Sequence, residues 1–186
     1  MDAAIINGAR AVLERHGQAG ATMERIAAEA GTSRMTLHRR GISKPAILAA
    51  LAQLLEAEYR EAMWPALVAD GPARERLILA LEGECAVAER NLALLDALQA
   101  PERAAIFHEP GGAARTQPGF VEALRRLLRD GVADGSLAVE DVDDAATVIF
   151  NLVGHTYRHL RSGHGWEPAR ARHAVIGMAV DGVAAR

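Results

Sequence analysis

Cysteine is almost missing from this sequence. Cys85 stands alone, so no intramolecular disulfide can close and no paired-thiol metal spacing exists. Lysine is equally scarce, with Lys44 the single one in a chain that otherwise takes its positive charge from arginine. Aromatic residues make up 4% of the 186 residues while hydrophobic residues make up 50%, supplied mainly by Ala and Leu, a balance that favours helices over strands. The longest stretch without Asp, Glu, Lys or Arg runs from Ala145 to Tyr157, thirteen residues. That is short of the roughly 20 needed to cross a bilayer. Charges are scattered through the first seventeen residues, unlike the charged-then-apolar blocks of an export signal. Together these absences predict a cytoplasmic protein with no membrane partner, no cofactor and no metal. The net charge of −3 excludes a uniformly basic polyanion binder, yet residues 1–50 hold seven Lys/Arg against four acids (7 − 4 = +3), which leaves −6 for the remainder.

Helical spacing runs through the whole chain. Ile5, Ile6, Ala9, Val12 and Leu13 recur at three- and four-residue steps and predict a helix over Ala4 to Arg15, ended by Gly17 and Gly20. Thr22 is placed to cap a second, two-turn helix with Met23, Ile26, Ala27 and Ala30 inward and Gly31 as its left-handed stop. After a three-residue turn, Ser33 is placed to cap a third short helix, Arg34 to Arg40. A long helix follows from Pro45 to about Met63, with Pro65 and the Asp70-Gly71-Pro72 cluster breaking the pattern. The stripe Leu77, Ile78, Leu81, Cys85, Ala88, Leu92 and Leu95 predicts one helix from Ala73 to just before Pro101. Pro101 to Gly119 is rich in Pro and Gly and reads as loop plus a short helix near Ala104 to Phe107. Three more helices follow: from Phe120 to about Gly135, from Asp141 to Arg161, and from Pro168 to Ala185. The expectation is an all-α fold of about nine helices.

The segment Thr22 to Gly41, TMERIAAEAGTSRMTLHRRG, followed by Ser43-Lys44, resembles the DNA-binding segment of the TetR family. Ile26-Ala27, Ala30-Gly31, Ser33, Thr36-Leu37 and Ser43-Lys44 occupy that pattern's places, and Ala9, Leu13 and Gly17 keep the register of its preceding helix. The strong likeness covers roughly residues 4–50, and beyond that the helical layout alone agrees. Two positions depart: His38 stands where the family prefers Tyr, and Gly41 where it prefers Phe. The turn is therefore expected to be altered locally, with the imidazole able to donate to phosphate and Ile42 supplying apolar packing. The resemblance implies a helix-turn-helix DNA-binding domain over 1–46 (motif 22–41) and a helical effector-binding and dimerisation domain over 47–186.

The physical case is independent of the resemblance. A helix about 10–12 Å wide fits the B-DNA major groove, where each base pair shows a distinct pattern of donors and acceptors. The third helix is that probe. Arg34, Thr36 and His38 are candidate base readers, Met35 and the Thr36 methyl suit a thymine methyl, and Arg39 and Arg40 reach guanine or phosphate. Thr22, Thr32, Ser33 and Lys44 lie at or near helix N-termini, whose free N–H groups suit phosphate oxygens. The bland reading, a merely solvated arginine-rich helix, does not account for the whole motif.

A single such unit touches little DNA, so two copies across symmetric half-sites are expected. In the last two helices, small residues permit close approach, and Val148, Ile149, Leu152, Met178 and Val183 supply apolar area for a homodimer; an intrachain core is the competing use. An effector pocket implied by the resemblance has Met63, Trp64, Glu84, Cys85, Phe107, His108, Phe150, Asn151 and His155 as candidates. His155 and His159 are one turn apart, but no third metal ligand accompanies them. The function expected is a repressor released from double-stranded operator DNA by a small molecule. A protein-binding helical adaptor is the alternative, and a small helical-bundle enzyme is disfavoured because no glutamate has His three residues later.

Overall fold

The computed structural model describes residues 1–98 and 116–185. Among these residues there are nine helices and no strand: α1 (Ala3–Gly20), α2 (Met23–Glu29), α3 (Arg34–Arg39), α4 (Lys44–Val68), α5 (Ala73–Arg90), α6 (Leu92–Ala97), α7 (Pro118–Asp134), α8 (Val142–Ser162) and α9 (Pro168–Val183). The short helix expected near Ala104 to Phe107 lies outside the described residues.

The chain divides into two compact units. The first takes residues 1–55 with the described part of 91–106, and the second 56–90 with the described part of 107–186. In the first unit α1 packs against both α2 and α6, and α2 against α3. Its core is the inner stripe read from the sequence, with Ile5, Ala9, Val12, Leu13, Ile26, Ala27, Leu37, Ile47 and Leu51 all buried. At Gly8 an added Cβ would stand 3.1 Å from the backbone nitrogen of Ala30, so the α1–α2 crossing requires a residue without a side chain there.

In the second unit α8 packs against α7 and α9, and α5 lies against all three. Leu77, Leu81, Phe120, Leu124, Leu127, Val153, Tyr157 and Val175 form its interior. Asp134 accepts from the backbone N–H of Ala73 at 2.8 Å and Ser136 from that of Arg74 at 3.3 Å, so the turn after α7 caps the start of α5. Asp141 caps α8 by accepting from the backbone N–H groups of Asp143 and Asp144 at 2.8 and 2.9 Å.

Two sequence expectations are corrected. Pro65 does not break α4, which runs on to Val68. Proline removes one N–H and crowds the carbonyl four residues back. Here it sits on the exposed side near the helix end, where Arg76 Nε donates to the carbonyl of Ala66 at 3.0 Å and so supports the last turn. The stripe from Leu77 to Leu95 is not one helix either. Asn91 leaves helical geometry (φ −122°, ψ 19°) and separates α5 from α6, its carbonyl accepting from Leu95 N at 2.8 Å. Asparagine's readiness to leave helical geometry allows that break, and hydrophobic spacing cannot show it.

Candidate functional site

The α2–turn–α3 segment is built from caps. Thr22 Oγ1 accepts from the Arg25 backbone N–H at 3.3 Å, starting α2, and Ser33 Oγ accepts from the Thr36 backbone N–H at 3.1 Å, starting α3. Both helices end in the same paired pattern. Thr32 N donates to Ala27 O and Gly31 N to Ala28 O; Ile42 N donates to Leu37 O and Gly41 N to His38 O. This is the Schellman arrangement, with Gly31 (φ 67°) and Gly41 (φ 66°) in the left-handed region where a Cβ is strained. The altered turn expected at Gly41 is therefore a helix stop, with Ile42 half-buried beside it.

Leu37 is completely buried and anchors α3, while the rest of the helix faces outward. Ser33, Arg34, Met35, His38, Arg39 and Arg40 are exposed, and Thr32 and Thr36 are half-buried. Met35, at 68% exposure, puts an apolar side chain among the outward-facing arginines of α3. Arg34 pairs with Glu24 at 2.6 Å and Arg40 lies 3.9 Å from Asp2. Glu24's own backbone N–H and then Arg34 hold its carboxyl below the usual range. Both arginine pairs are solvent-exposed, so they orient the guanidinium groups at little energetic cost to exchange. Lys44 is half-buried, its Nζ donating to the Gln18 carbonyl at 3.2 Å, which carries the sole lysine to the C-terminal end of α1. Thr22 is exposed, with its hydroxyl engaged in the cap.

The second-unit candidates divide sharply. Met63, Glu84 and Cys85 are buried, and Phe150 and Asn151 are half-buried. Asn151 Nδ2 donates to Thr147 O at 2.8 Å and to Thr116 Oγ1 at 3.3 Å. Trp64, at 61% exposure, and His155 lie on the surface and do not join this interior; Phe107 and His108 lie outside the described residues. Desolvation pushes the Cys85 thiol up to about 12, so it is a buried thiol and not a reactive thiolate. Sequence reasoning did not bring Tyr59 and Phe120 together with the candidate Phe150. With Phe150 they form a three-ring cluster, centroids 5.4 to 5.7 Å apart. A tyrosine inside an apolar stripe was the available signal, because its hydroxyl must find a partner once buried. His159 packs edge-on against His164, and no group of three potential metal ligands occurs among the described residues.

On the dimerisation candidates, Val148 (61%), Leu152 (36%) and Met178 (74%) are exposed, Val183 is half-buried, and Ile149 is buried within its own chain. Ile149 therefore serves the intrachain core.

A capped two-helix turn presenting an arginine-rich helix, on an all-helical frame, defines a helix-turn-helix DNA-binding transcription regulator. The comparisons with known proteins agree. Residues 5–51 match the tetR family of bacterial regulatory proteins, and residues 81–186 match the C-terminal domain of AefR-like transcriptional repressors; the chain belongs to the TetR family. No curated protein matches the chain by sequence. Among solved structures, a regulator from Saccharomonospora viridis in complex with choline is similar at TM-score 0.76 and 18% identity, over 98% of this chain and 97% of that one. FadR from Bacillus subtilis in complex with stearoyl-CoA is similar at TM-score 0.74 and 19% identity, over 96% and 97%. The TetR-family regulator PfmR from Thermus thermophilus is similar at TM-score 0.67 and 21% identity, over 94% of each chain. At these identities the likeness is one of fold. The family and these neighbours are transcription regulators. No helix among the described residues is long and apolar enough to cross a membrane.

Proposed function

We propose that the protein is a homodimeric repressor released from operator DNA by a small molecule held in the interior of the second unit. The observation that carries this reading is α3: one buried leucine fixes it, caps bound it at both ends, and its remaining side chains are offered to solvent. Arg34, Met35, Thr36 and His38 read base edges, and Arg39 and Arg40 take guanine or phosphate. Thr22, Thr32, Ser33 and Lys44 bind phosphates at the helix starts. Lys44 exchanges its Gln18 carbonyl for phosphate oxygen on docking.

The test is selection of bound fragments from random duplexes with the full chain, followed by titration over a salt series. The expected result is an inverted repeat with two half-sites and affinity falling steeply with salt, by roughly tenfold per tenfold salt for each phosphate neutralised. Arg39→Ala with Lys44→Ala should reduce the salt slope and the affinity while helix content stays unchanged. Salt-independent binding, or no selected sequence, would point to a protein-binding adaptor instead.

Ligand occupancy of the neighbours supports an effector role for the second unit, because one was solved with choline and another with stearoyl-CoA. Met63, Glu84, Cys85, Phe150 and Asn151, buried or half-buried in that unit, are the proposed lining. A coupling of roughly 1–3 kcal/mol between effector and operator would lower DNA affinity about 5- to 150-fold.

A further inference from the structure

Glu84 is the most anomalous group in the molecule. It is 3% exposed, and no side chain donates to either carboxyl oxygen; the backbone of Gly154 is the polar group that bears on it among the described residues. The hydroxyl of Tyr59, equally buried, has no hydrogen-bond partner. Native interiors rarely leave such groups unpaired, because each costs the desolvation that a partner would offset. The two are close enough for Glu84's charge to bear on the Tyr59 hydroxyl. The second unit leaves room for the carboxyl: a Cβ at Gly154 on α8 would stand 3.1 Å from Glu84 Oε1. One turn earlier on the same face of α8 is Phe150, which packs edge-on against Tyr59 at 5.6 Å and lies tilted by 36° against Phe120 at 5.4 Å. Thus α4, α5, α7 and α8 bring one acid that no side chain bonds, one unpaired hydroxyl and three rings to one part of the interior.

We infer that this cluster is the recognition point for an organic cation, an alkyl- or quaternary-ammonium effector, with Glu84 as its counter-charge. The inference rests on the effector reading given above. Without a ligand, burial raises the Glu84 carboxyl above its usual range and so favours the uncharged acid form. Among the described residues no arginine or lysine side chain is bonded to it, so a bound cation would supply the positive charge that lets it ionise. An anionic head would meet a developing like charge instead. A metal ion needs several ligands, and no group of three exists among the described residues. A weakly hydrated ammonium gives up water readily, gains from ring faces, and suits an apolar lining such as Met63.

The experiment is calorimetric titration of the full-length protein with choline, with tetraethylammonium and with 3,3-dimethylbutanol, the uncharged analogue of choline. Wild type should bind at least one ammonium probe and not the uncharged analogue. Glu84→Gln, which keeps shape and removes charge, should weaken that binding roughly 30-fold or more. Tyr59→Phe, which keeps the ring, should weaken it less, and circular dichroism should show both variants folded. No binding by either ammonium, equal binding of the uncharged analogue, or undiminished binding by Glu84→Gln would overturn the assignment. Operator release is read separately by fluorescence anisotropy. Glu84-dependent ammonium binding that leaves operator affinity unchanged would refute the effector-release reading while the cation site stands.

Discussion

Gly41 shows how one residue decides local structure. A bulky aromatic at this position would have to adopt φ 66°, where a Cβ is strained, so the glycine makes a clean helix stop and leaves Ile42 to close the turn. Nothing lies within 4 Å of an added Cβ there, so the cost of a substitution is conformational and not steric. Gly41→Ala should therefore lower unfolding stability by about 1 kcal/mol, read from urea denaturation. The same substitution should also weaken operator binding, because it disturbs the C-terminal end of the probe helix. Ser33→Ala should cost a similar ~1 kcal/mol by removing the cap at the other end of α3. An unchanged urea midpoint in both variants would show that α3 is held by Leu37 alone.

At the level of elements, what the sequence revealed was whatever obeys spacing and capping. Helix α3 was legible to within a residue because Ser33, Leu37 and Gly41 each carry an unambiguous local rule. The break at Asn91 and the passage of α4 through Pro65 were not. One depends on where a buried polar side chain finds room, the other on Arg76, which reaches back from α5 to the carbonyl of Ala66. In the sequence Glu84 is one of nine pocket candidates, and only its surroundings in space distinguish it from the others. Glu89, one turn and one residue later on α5, is its opposite. Arg161 Nε and a second guanidinium nitrogen donate to its two carboxyl oxygens at 2.9 Å each, and the Tyr157 hydroxyl donates at 2.8 Å, clamping α5 to α8. Arg161 first, and then Tyr157, hold the Glu89 carboxyl below its usual range. Its stabilising effect is therefore present above the ordinary carboxyl value of about 4.3 and disappears as pH falls through the lower folded value. For Glu84 the sign reverses: burial raises its folded value, so its favourable effect holds below about 4.3 and is lost as pH rises towards that raised value. Thermal melts across pH should show Glu89→Gln destabilising the protein at pH 7 and converging on wild type in acid. Glu84→Gln should instead stabilise it at pH 7. Parallel melting curves for all three proteins at every pH would contradict both assignments.

For the molecule as a whole, the sequence carries its charge in two blocks, +3 in residues 1–50 and −6 in the remainder. That division keeps excess acid out of the DNA-reading segment, and the acidic remainder disfavours unspecific phosphate contact. A single three-helix probe still binds weakly alone, so specificity depends on pairing two copies at fixed spacing. Val148 and Leu152 lie one turn apart on α8 and Met178 lies on α9, all exposed, on two helices that pack together. An added Cβ at Gly177 would meet nothing within 4 Å, leaving that part of α9 open to close approach by another helix. Ile149, buried in its own chain, marks where the intrachain core ends and this outer face begins. In the proposed homodimer, a charge placed on this outer face should separate the subunits without unfolding the chain, because Val148 and Met178 bury little in the monomer. Val148→Glu with Met178→Glu is therefore expected to halve the mass seen by light scattering while retaining helical circular dichroism. Losing the second attachment removes its effective concentration, so operator affinity should drop roughly 100-fold or more even though every DNA-facing residue is intact. If the double variant stays dimeric and binds as before, the pairing surface lies elsewhere on the chain.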